Sequence, residues 1–249
     1  MELRGAVSIV TGGNGGLGRR ICSALARAGS DVAVVCRQSR EDAEGVAAEL
    51  REQGVRAEVF LADVTRLDEI EDLYARVLRA FDKLDVLVNN AAYNQSIPFQ
   101  DLDALTPEIW ETILHRNATG PFLASRAAAP IMKRQGGGRI VNISSVAGFT
   151  PTGSSIAYAV SKAALNHLTR CLAVALGPEI LVNGVAPGLM EGTRMTARLA
   201  PAQVQRALDG AVLKRAASRD DVADQVVTLA RSDSTTGQTV VIDAGRYFH

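Results

Sequence analysis

Short apolar runs alternate with helix-like stretches along the whole chain. Several of the apolar runs are rich in Val and Ile on both faces, as in strands that lie between two layers of helices. The alternation predicts strands at 6–11, 31–37, 57–62, 85–89, 139–144, 180–185 and 238–242. It predicts helices near 17–29, 40–53, 66–82, 106–133, 155–176 and 219–231.

This order predicts an α/β fold, a doubly wound parallel sheet of about seven strands with helices on both faces, as in Rossmann-like proteins. No Pro- or Ser-rich linker, charge block or repeat divides the 249 residues, so we expect one domain over 1–249. The segment 188–210 breaks the alternation after a predicted strand end, where ligands bind in such sheets. We expect it to form a loop and a short helix over the site, as a substrate-loop region.

Composition narrows the possible partners. Lys plus Arg and Asp plus Glu each number 27, so no basic excess exists to neutralise the phosphates of a nucleic acid. The three cysteines are scattered and the three histidines lack ligand-like spacing, so we expect no disulfide framework and no metal site. No apolar leader precedes the first strand and no run of about 18 apolar residues occurs. We therefore expect a cytoplasmic protein without a membrane partner.

The first predicted strand ends in a glycine-rich turn, Thr11-Gly-Gly-Asn-Gly-Gly-Leu-Gly18, and a helix follows at once. Glycines permit a tight turn and close approach of a pyrophosphate, and the helix N-terminus offers unpaired N–H groups to the anion. Two spacings fit, GxGxxG at Gly13, Gly15 and Gly18 and TGxxxGxG at Gly12, Gly16 and Gly18. This turn predicts dinucleotide binding, with contacts from Gly12, Asn14, Gly16, Leu17 and Gly18.

The end of the second strand bears on which dinucleotide is bound. An acidic residue there would bind the ribose 2′-hydroxyl of NAD, but the stretch is Val35-Cys36-Arg37-Gln38-Ser39-Arg40. A 2′-phosphate would instead meet the Arg37 guanidinium, with Ser39 or Arg40, in charge-assisted hydrogen bonds. The sequence favours NADP over NAD, and the alternative is that both arginines are solvated surface charges.

Tyr158 and Lys162 lie four residues apart, on one face of a predicted helix. A phenol titrates near pH 10, so it is a poor proton donor or acceptor at neutral pH unless its pKa is shifted. A fixed cation beside it favours the phenolate and lowers that pKa. The pair therefore predicts proton transfer, although helical neighbours of this kind are also common without a function.

Together these motifs make the chain resemble the classical short-chain dehydrogenases/reductases over nearly all of its length. Asp63-Val64 after the third strand is similar to the family's adenine-contacting pair. Asn89-Asn90-Ala91-Ala92 resembles its NNAG motif, with alanine in place of the last glycine. Ser145 lies thirteen residues before Tyr158, which is the usual spacing in the family. Pro187-Gly188 is similar to the family's turn near the nicotinamide, although one extra residue precedes Thr193.

The resemblance implies hydride transfer between the nicotinamide of NADP(H) and a secondary alcohol or ketone. Tyr158 would donate or accept the proton, Lys162 would hold the nicotinamide ribose and lower the pKa of Tyr158, and Ser145 would bind the substrate oxygen. Ser144 points to the opposite face, because side chains alternate along a strand. Further cofactor contacts are expected from Arg37, Asp63, Val64, Asn90, Tyr158, Lys162, Pro187, Gly188 and Met190.

Asn117 has a physical argument beside the resemblance. In a continuous helix the N–H of residue 121 would bond the carbonyl of Asn117, but Pro121 has no N–H. The carbonyl is then free to hold a water, and the family uses this residue in a proton relay. A simple proline kink is the alternative.

The substrate and the partners stay open at this stage. A reductase of thioester-bound 3-oxoacyl groups would use the same residues, and a dinucleotide-sensing binding protein is a non-enzymatic alternative. Tyr93, Phe149 and Met190 follow strand ends and either line a substrate pocket or belong to the core. The resemblance also implies a homo-oligomer, a tetramer first and a dimer second.

Overall fold

The computed structural model describes residues 1–193, 196 and 201–248. Within this part of the chain, seven parallel strands form one sheet in the order β3-β2-β1-β4-β5-β6-β7. The strands are β1 (Val7–Thr11), β2 (Asp31–Cys36), β3 (Ala57–Leu61), β4 (Val86–Asn89), β5 (Gly138–Ile143), β6 (Ile180–Pro187) and β7 (Thr239–Ile242). The helices are α1 (Gly16–Arg27), α2 (Arg40–Glu52), α3 (Leu67–Phe81), α4 (Pro107–Leu114), α5 (Gly120–Arg134), α6 (Ile156–Leu176), α7 (Pro201–Gly210) and α8 (Arg219–Arg231).

Side chains of the central strands alternate between two apolar layers. Val7 and Ile9 of β1 pack with α3, α5 and α6, whereas Val10 packs with α1, α2 and α8. In β2, Val35 packs on the side of α3, α5 and α6, and Val34 packs on the side of α1, α2 and α8. Because both faces are covered, the strands are apolar at almost every position, which is why their sequence pattern is continuous. The predicted doubly wound sheet is confirmed.

The order of strands reverses at β1: β2 and β3 extend the sheet on one side, and the chain then returns to place β4 on the other side of β1. In open α/β sheets such a reversal creates a crevice at the carboxyl ends of the strands. Every strand pair in this sheet is parallel, so all carboxyl ends lie along one edge.

The single helix expected over 106–133 is wrong in one respect, since it is divided. A π-helical turn, His115–Thr119, separates α4 from α5. At its end the N–H of Gly120 donates to the carbonyl of His115, five residues back. Pro121 cannot supply the next helical N–H, and a widened turn accommodates that loss. Thr106 caps α4 by accepting from the N–H of Ile109 at 3.4 Å.

The segment 188–210 contains the short helix that the sequence predicts, α7. Positions 194, 195 and 197–200 of this expected substrate loop lie outside the described residues. No helix in the described part of the chain is both long and apolar enough to cross a membrane.

Candidate active site

One cleft of about 720 Å³ opens at the carboxyl ends of the strands. Segments that follow directly after β1, β2, β3, β4, β5 and β6 all contribute to its walls. All the residues expected to contact a cofactor line this cleft, namely Gly12, Asn14, Gly16, Leu17, Gly18, Arg37, Asp63, Val64, Asn90, Tyr158, Lys162, Pro187, Gly188 and Met190. Ser145 lines it as well, whereas Asn117 does not.

The glycine turn is packed so closely that side chains are excluded from it. Gly12 has φ +64, and a Cβ on Gly18 would lie 2.1 Å from the carbonyl oxygen of Gly12. A Cβ on Gly16 would lie 3.2 Å from the carbonyl oxygen of Gly192 in the loop after β6. Gly18 belongs to both spacings in the sequence, and it carries the closest backbone contact of the turn.

Asn90 fixes the same turn from the end of β4. Its Nδ2 donates to the carbonyls of Thr11 and Gly12 at 2.9 and 3.1 Å. The Thr11 hydroxyl accepts from the backbone N–H of Asn90 and of Ala91, both at 3.0 Å. These hydrogen bonds fix the shape of the turn, and the N–H groups in the first turn of α1, which starts at Gly16, have no partner within the helix.

Arg37 and Asp63 form an ion pair across the other end of the cleft, at 3.5 Å. Burial by itself would raise the pKa of Asp63, but hydrogen bonds from Thr65 and the charge of Arg37 outweigh it and lower that pKa. Arg40 pairs with Glu44 at 3.6 Å and lies outside the cleft wall, while Ser39 lies in it. Of the two arginines considered for a 2′-phosphate, only Arg37 faces the cleft.

Hydrogen bonds to the backbone of Tyr158 fix this residue near the start of α6. Ser155 is the N-cap of α6, and its hydroxyl accepts from the N–H of Tyr158 at 3.2 Å. The carbonyl of Tyr158 accepts from the Ser161 hydroxyl at 2.7 Å. The phenol itself shares a hydrogen bond with Ser145, across the cleft wall. Ser144 turns away, as strand alternation predicts, and donates to the carbonyl of Lys162 at 3.2 Å.

The pKa of Tyr158 differs from the expectation. Lys162 is 2% exposed, and its Nζ donates to the carbonyl of Ile143 at 2.8 Å and lies 5.8 Å from the centre of the Tyr158 ring. Burial lowers the pKa of Lys162 to about 8. Burial also raises the pKa of Tyr158, and the hydrogen bond with Ser145 offsets only part of that rise. The expected lowering of the Tyr158 pKa by Lys162 is therefore wrong for the protein without a ligand, because desolvation outweighs the distant cation.

Asn117 is fully buried behind the cleft wall. Its Nδ2 donates to the carbonyl of Tyr93 at 2.8 Å and to the Ser161 hydroxyl at 3.0 Å, and its Oδ1 accepts from the N–H of Tyr93 at 2.8 Å. The amide thus joins the π-helical turn to α6 and to the loop after β4. Its side chain has no free donor for a substrate.

The loop after β6 is fastened to its neighbours at two points. A Cβ on Gly188 would lie 2.6 Å from the Cβ of Asp243, so only a glycine fits there. Arg219 at the start of α8 donates to the carbonyl of Gly192 at 3.1 Å. Thr193 lines the cleft, but its hydroxyl pairs with that of Thr196 at 3.0 Å.

The sequence did not single out several residues of the cleft wall. Arg116, Arg206 and Arg246 line it, from the π-helical turn, α7 and the tail after β7. The rule that ligands lie at the carboxyl ends of strands could have indicated Arg246, but nothing in the pattern marks the other two. Tyr93 and Met190 line the cleft as well, whereas Phe149 stacks on Tyr247 with the ring centres 5.5 Å apart.

Comparison with known proteins identifies the family of the chain. A family model described as short chain dehydrogenase matches residues 6–204. The chain belongs to the short-chain dehydrogenase family, which confirms the resemblance seen in the sequence. It is an NAD(P)-dependent oxidoreductase of that family.

Two curated relatives span almost the whole chain. The "Granaticin polyketide synthase putative ketoacyl reductase 2" of Streptomyces violaceoruber is 40% identical over 97% of this chain and 96% of its own length. The 3-oxoacyl-[acyl-carrier-protein] reductase FabG of Aquifex aeolicus is 36% identical over 99% of both chains.

Solved structures agree in fold and differ in the dinucleotide that they name. An NAD⁺-bound xylitol dehydrogenase has a TM-score of 0.92 and 30% identity, over 98% of this chain and 100% of that one. An NADPH-dependent 3-quinuclidinone reductase from Rhodotorula rubra has a TM-score of 0.91 and 30% identity, over 98% and 92% of the two chains.

Proposed function

We propose that the protein reduces a ketone to a secondary alcohol with NADPH, or runs the reverse oxidation with NADP⁺, at the cleft described above. The observation that carries the proposal is the meeting of Ser145, Tyr158 and Lys162 on the wall of the cleft that also holds the glycine turn. A dinucleotide along this cleft would extend from the turn to the tyrosine, which is the arrangement that hydride transfer needs.

The chain offers a fitting cradle for the cofactor. Gly12, Gly16 and Gly18 leave the space beside α1 free of side chains, and the unpaired N–H groups there suit a pyrophosphate. Arg37, with Ser39, would bind a 2′-phosphate at the opposite end, which supports NADP over NAD. Binding would require Arg37 to exchange its contact with Asp63 for the phosphate. NADPH, when bound, supplies the hydride.

The side chains of the site would bind the substrate oxygen, transfer the proton and hold the cofactor. Ser145 would donate a hydrogen bond to the carbonyl oxygen and so stabilise the charge that develops on it. Tyr158 would give its proton to that oxygen, and burial, which raises its pKa, favours the protonated phenol. Lys162 would hold the nicotinamide ribose, and Asn117 would position Tyr93 and the π-helical turn behind the site.

A reductase of 3-oxoacyl thioesters is the second candidate. Both curated relatives named above are ketoacyl reductases by description, one of them for acyl-carrier-protein substrates. The same Ser145 and Tyr158 would act on the 3-oxo group, so the chemistry at the reacting carbon is unchanged. The dinucleotide-sensing alternative loses support, since the chain keeps the complete residue set of an enzyme family.

Three predictions about the molecule as a whole belong to this proposal. A homotetramer, or a dimer in its place, and a cytoplasmic location stay predictions from the family resemblance and the sequence. So does the division of the chain into one domain over 1–249.

The proposal is tested by following reduced-nicotinamide absorbance with a panel of ketones and an acetoacetyl thioester. We expect consumption of NADPH, with a higher kcat/KM for NADPH than for NADH. A preference for NADH would overturn the choice of cofactor, and no consumption or reverse reaction across the panel would overturn the proposed reaction. A preference for the thioester over simple ketones would favour the second candidate.

A further inference from the structure

The cleft is strongly cationic although the chain as a whole has a formal net charge of +0. Among the described residues of its wall, five side chains are basic and one is acidic. The acidic one, Asp63, pairs with Arg37, and Lys162 is bound to a backbone carbonyl. The other three basic side chains are Arg116, Arg206 and Arg246.

These three arginines have no counterion among the residues that the structure describes. In the part of the chain that the structure describes, none of them has a carboxylate within ion-pair distance. The Arg116 guanidinium lies over the Tyr93 ring, 4.7 Å from its centre, which leaves its N–H donors free for an oxygen ligand. By contrast, many arginines elsewhere on the surface have carboxylate partners, for example Arg56 with Asp31 at 2.7 Å.

Topology places Arg246, and the end of the helix α7 that carries Arg206, away from the adenosine end of the cleft. Arg37 and Asp63 follow β2 and β3, at one side of the sheet. Arg246 follows β7 at the opposite edge, and its Nε lies 3.8 Å from the Cβ position of Gly210, so the tail borders the end of α7. The expected phosphates of the cofactor lie at the glycine turn and at Arg37, and neither place is close in the sheet order to β7.

The tail that carries Arg246 is held in place. Asp243 accepts three backbone N–H groups, from Gly245, Arg246 and Tyr247, at 2.9, 3.1 and 2.7 Å. Asp243 in turn packs on Gly188 at the end of β6. The guanidinium of Arg246 is thus presented to the cleft by a fixed backbone, which reduces the entropy lost when it binds a ligand.

We infer that Arg116, Arg206 and Arg246 form an anion-binding rim that selects substrates with a carboxylate or a phosphate in addition to the reacting carbonyl. The inference rests on the proposed ketone reduction and adds the class of substrate to it. Unpaired guanidiniums around a cleft raise its positive potential, attract anions and bind their oxygens in charge-assisted hydrogen bonds. Neutral ketones would react at the same tyrosine but would not use the rim.

Matched substrate pairs test this rim. Acetoacetyl-phosphopantetheine and acetoacetyl-pantetheine differ by a phosphate, and acetoacetate and ethyl acetoacetate differ by a carboxylate charge. We expect kcat/KM to be about tenfold higher for the charged member of at least one pair. The pair that shows the preference identifies the anion. Arg206→Gln, Arg246→Gln and Arg116→Gln should each reduce this preference, measured as the ratio of kcat/KM for the charged and the neutral member of the pair, about threefold or more.

Arg134→Gln is the control, since it removes one exposed charge from the last turn of α5, outside the cleft. It should keep the preference, and added salt should weaken the preference in the wild type. Equal use of charged and neutral substrates, or a preference that survives the triple variant, would overturn the inference.

A binding measurement separates this inference from the proposed reaction. Calorimetric titration of the NADP⁺-loaded protein with 3-hydroxybutyrate, its ethyl ester, phosphopantetheine and pantetheine needs no turnover. Tighter binding of an anion that is lost in the arginine variants supports the rim, even where no ketone is reduced. Loss of turnover with that preference intact counts against the reaction alone, and no anion preference counts against the rim.

Discussion

Asn117 and Tyr93 are joined by two hydrogen bonds of 2.8 Å, one in each direction between the side-chain amide and the backbone of the tyrosine. The amide is fully buried, so water cannot replace either bond. The loop after β4, which carries Tyr93 into the cleft wall, is therefore fixed from behind by the π-helical turn.

Asn117→Ala should destabilise the protein and slow the reaction together. It leaves the partly buried N–H and carbonyl of Tyr93 without their side-chain partner, at a cost of about 1 kcal/mol or more. We expect a lower free energy of unfolding in denaturant titration and a lower kcat, since the loop that bears Tyr93 loses its anchor. Unchanged stability would show that the two hydrogen bonds do not hold this loop.

Gly18→Ala should abolish dinucleotide binding. Its Cβ would lie 2.1 Å from the carbonyl of Gly12, a backbone atom that can move only with the turn itself. Gly45→Ala in α2 is the matched control, because nothing lies within 4 Å of that Cβ position and alanine favours a helix by roughly 1 kcal/mol. Fluorescence titration with NADPH should show binding in the control and none in Gly18→Ala.

Arg37→Gln should reduce the preference for NADPH over NADH by about tenfold, since a charge-assisted contact with the 2′-phosphate is lost. NADH binding should change little. Arg40→Gln, at the first residue of α2 and paired with Glu44, is the control and should keep the preference. If both variants bind the two cofactors as the wild type does, Arg37 does not recognise the phosphate.

Tyr158→Phe should retain cofactor binding and lose turnover by about 10²–10⁴-fold, the usual contribution of a positioned general acid. The ring stays in place, because α6 holds it through the Ser155 cap and the Ser161 hydroxyl, which both contact the backbone. Stopped-flow measurement of hydride transfer checks the loss of turnover, and a titration with the cofactor checks that binding is retained. Turnover near that of the wild type would show that Tyr158 does not donate the proton.

Lys162→Met should change how stability depends on pH. The amine has a pKa of about 8 in the folded protein and 10.5 ordinarily, so between these values the unfolded chain binds more protons. Stability of the wild type should therefore rise with pH across that window, and the cost of the buried charge, on the order of 1–3 kcal/mol, is fully present below pH 8.

The methionine variant has no such cost. Its stability relative to the wild type should be highest below about pH 8 and should fall steadily towards pH 10, as measured by urea unfolding at each pH. The titration of Tyr158 contributes equally to the stability of both proteins, so it cancels from the difference between them. Parallel stability curves would mean that Lys162 is not a buried cation, while loss of turnover is expected in either case.

The sequence by itself determined the sheet and much of the candidate site. Strands buried on both faces give continuous apolar runs, and the glycine turn between β1 and α1 is a local feature, so both could be predicted without contacts. The spacing from Tyr158 to Lys162 is also local, since α6 alone sets it. These predictions depend on neighbours in the chain, where the pattern carries the information.

The tertiary structure decided what depends on distant segments. Desolvation of Tyr158 and Lys162 sets the direction of both pKa shifts, and no spacing reports how many layers cover a side chain. The break at His115–Thr119 followed from the proline, but its π-helical form did not. The cationic rim joins Arg116, Arg206 and Arg246 from three remote segments, and only the folded sheet places them around one cleft.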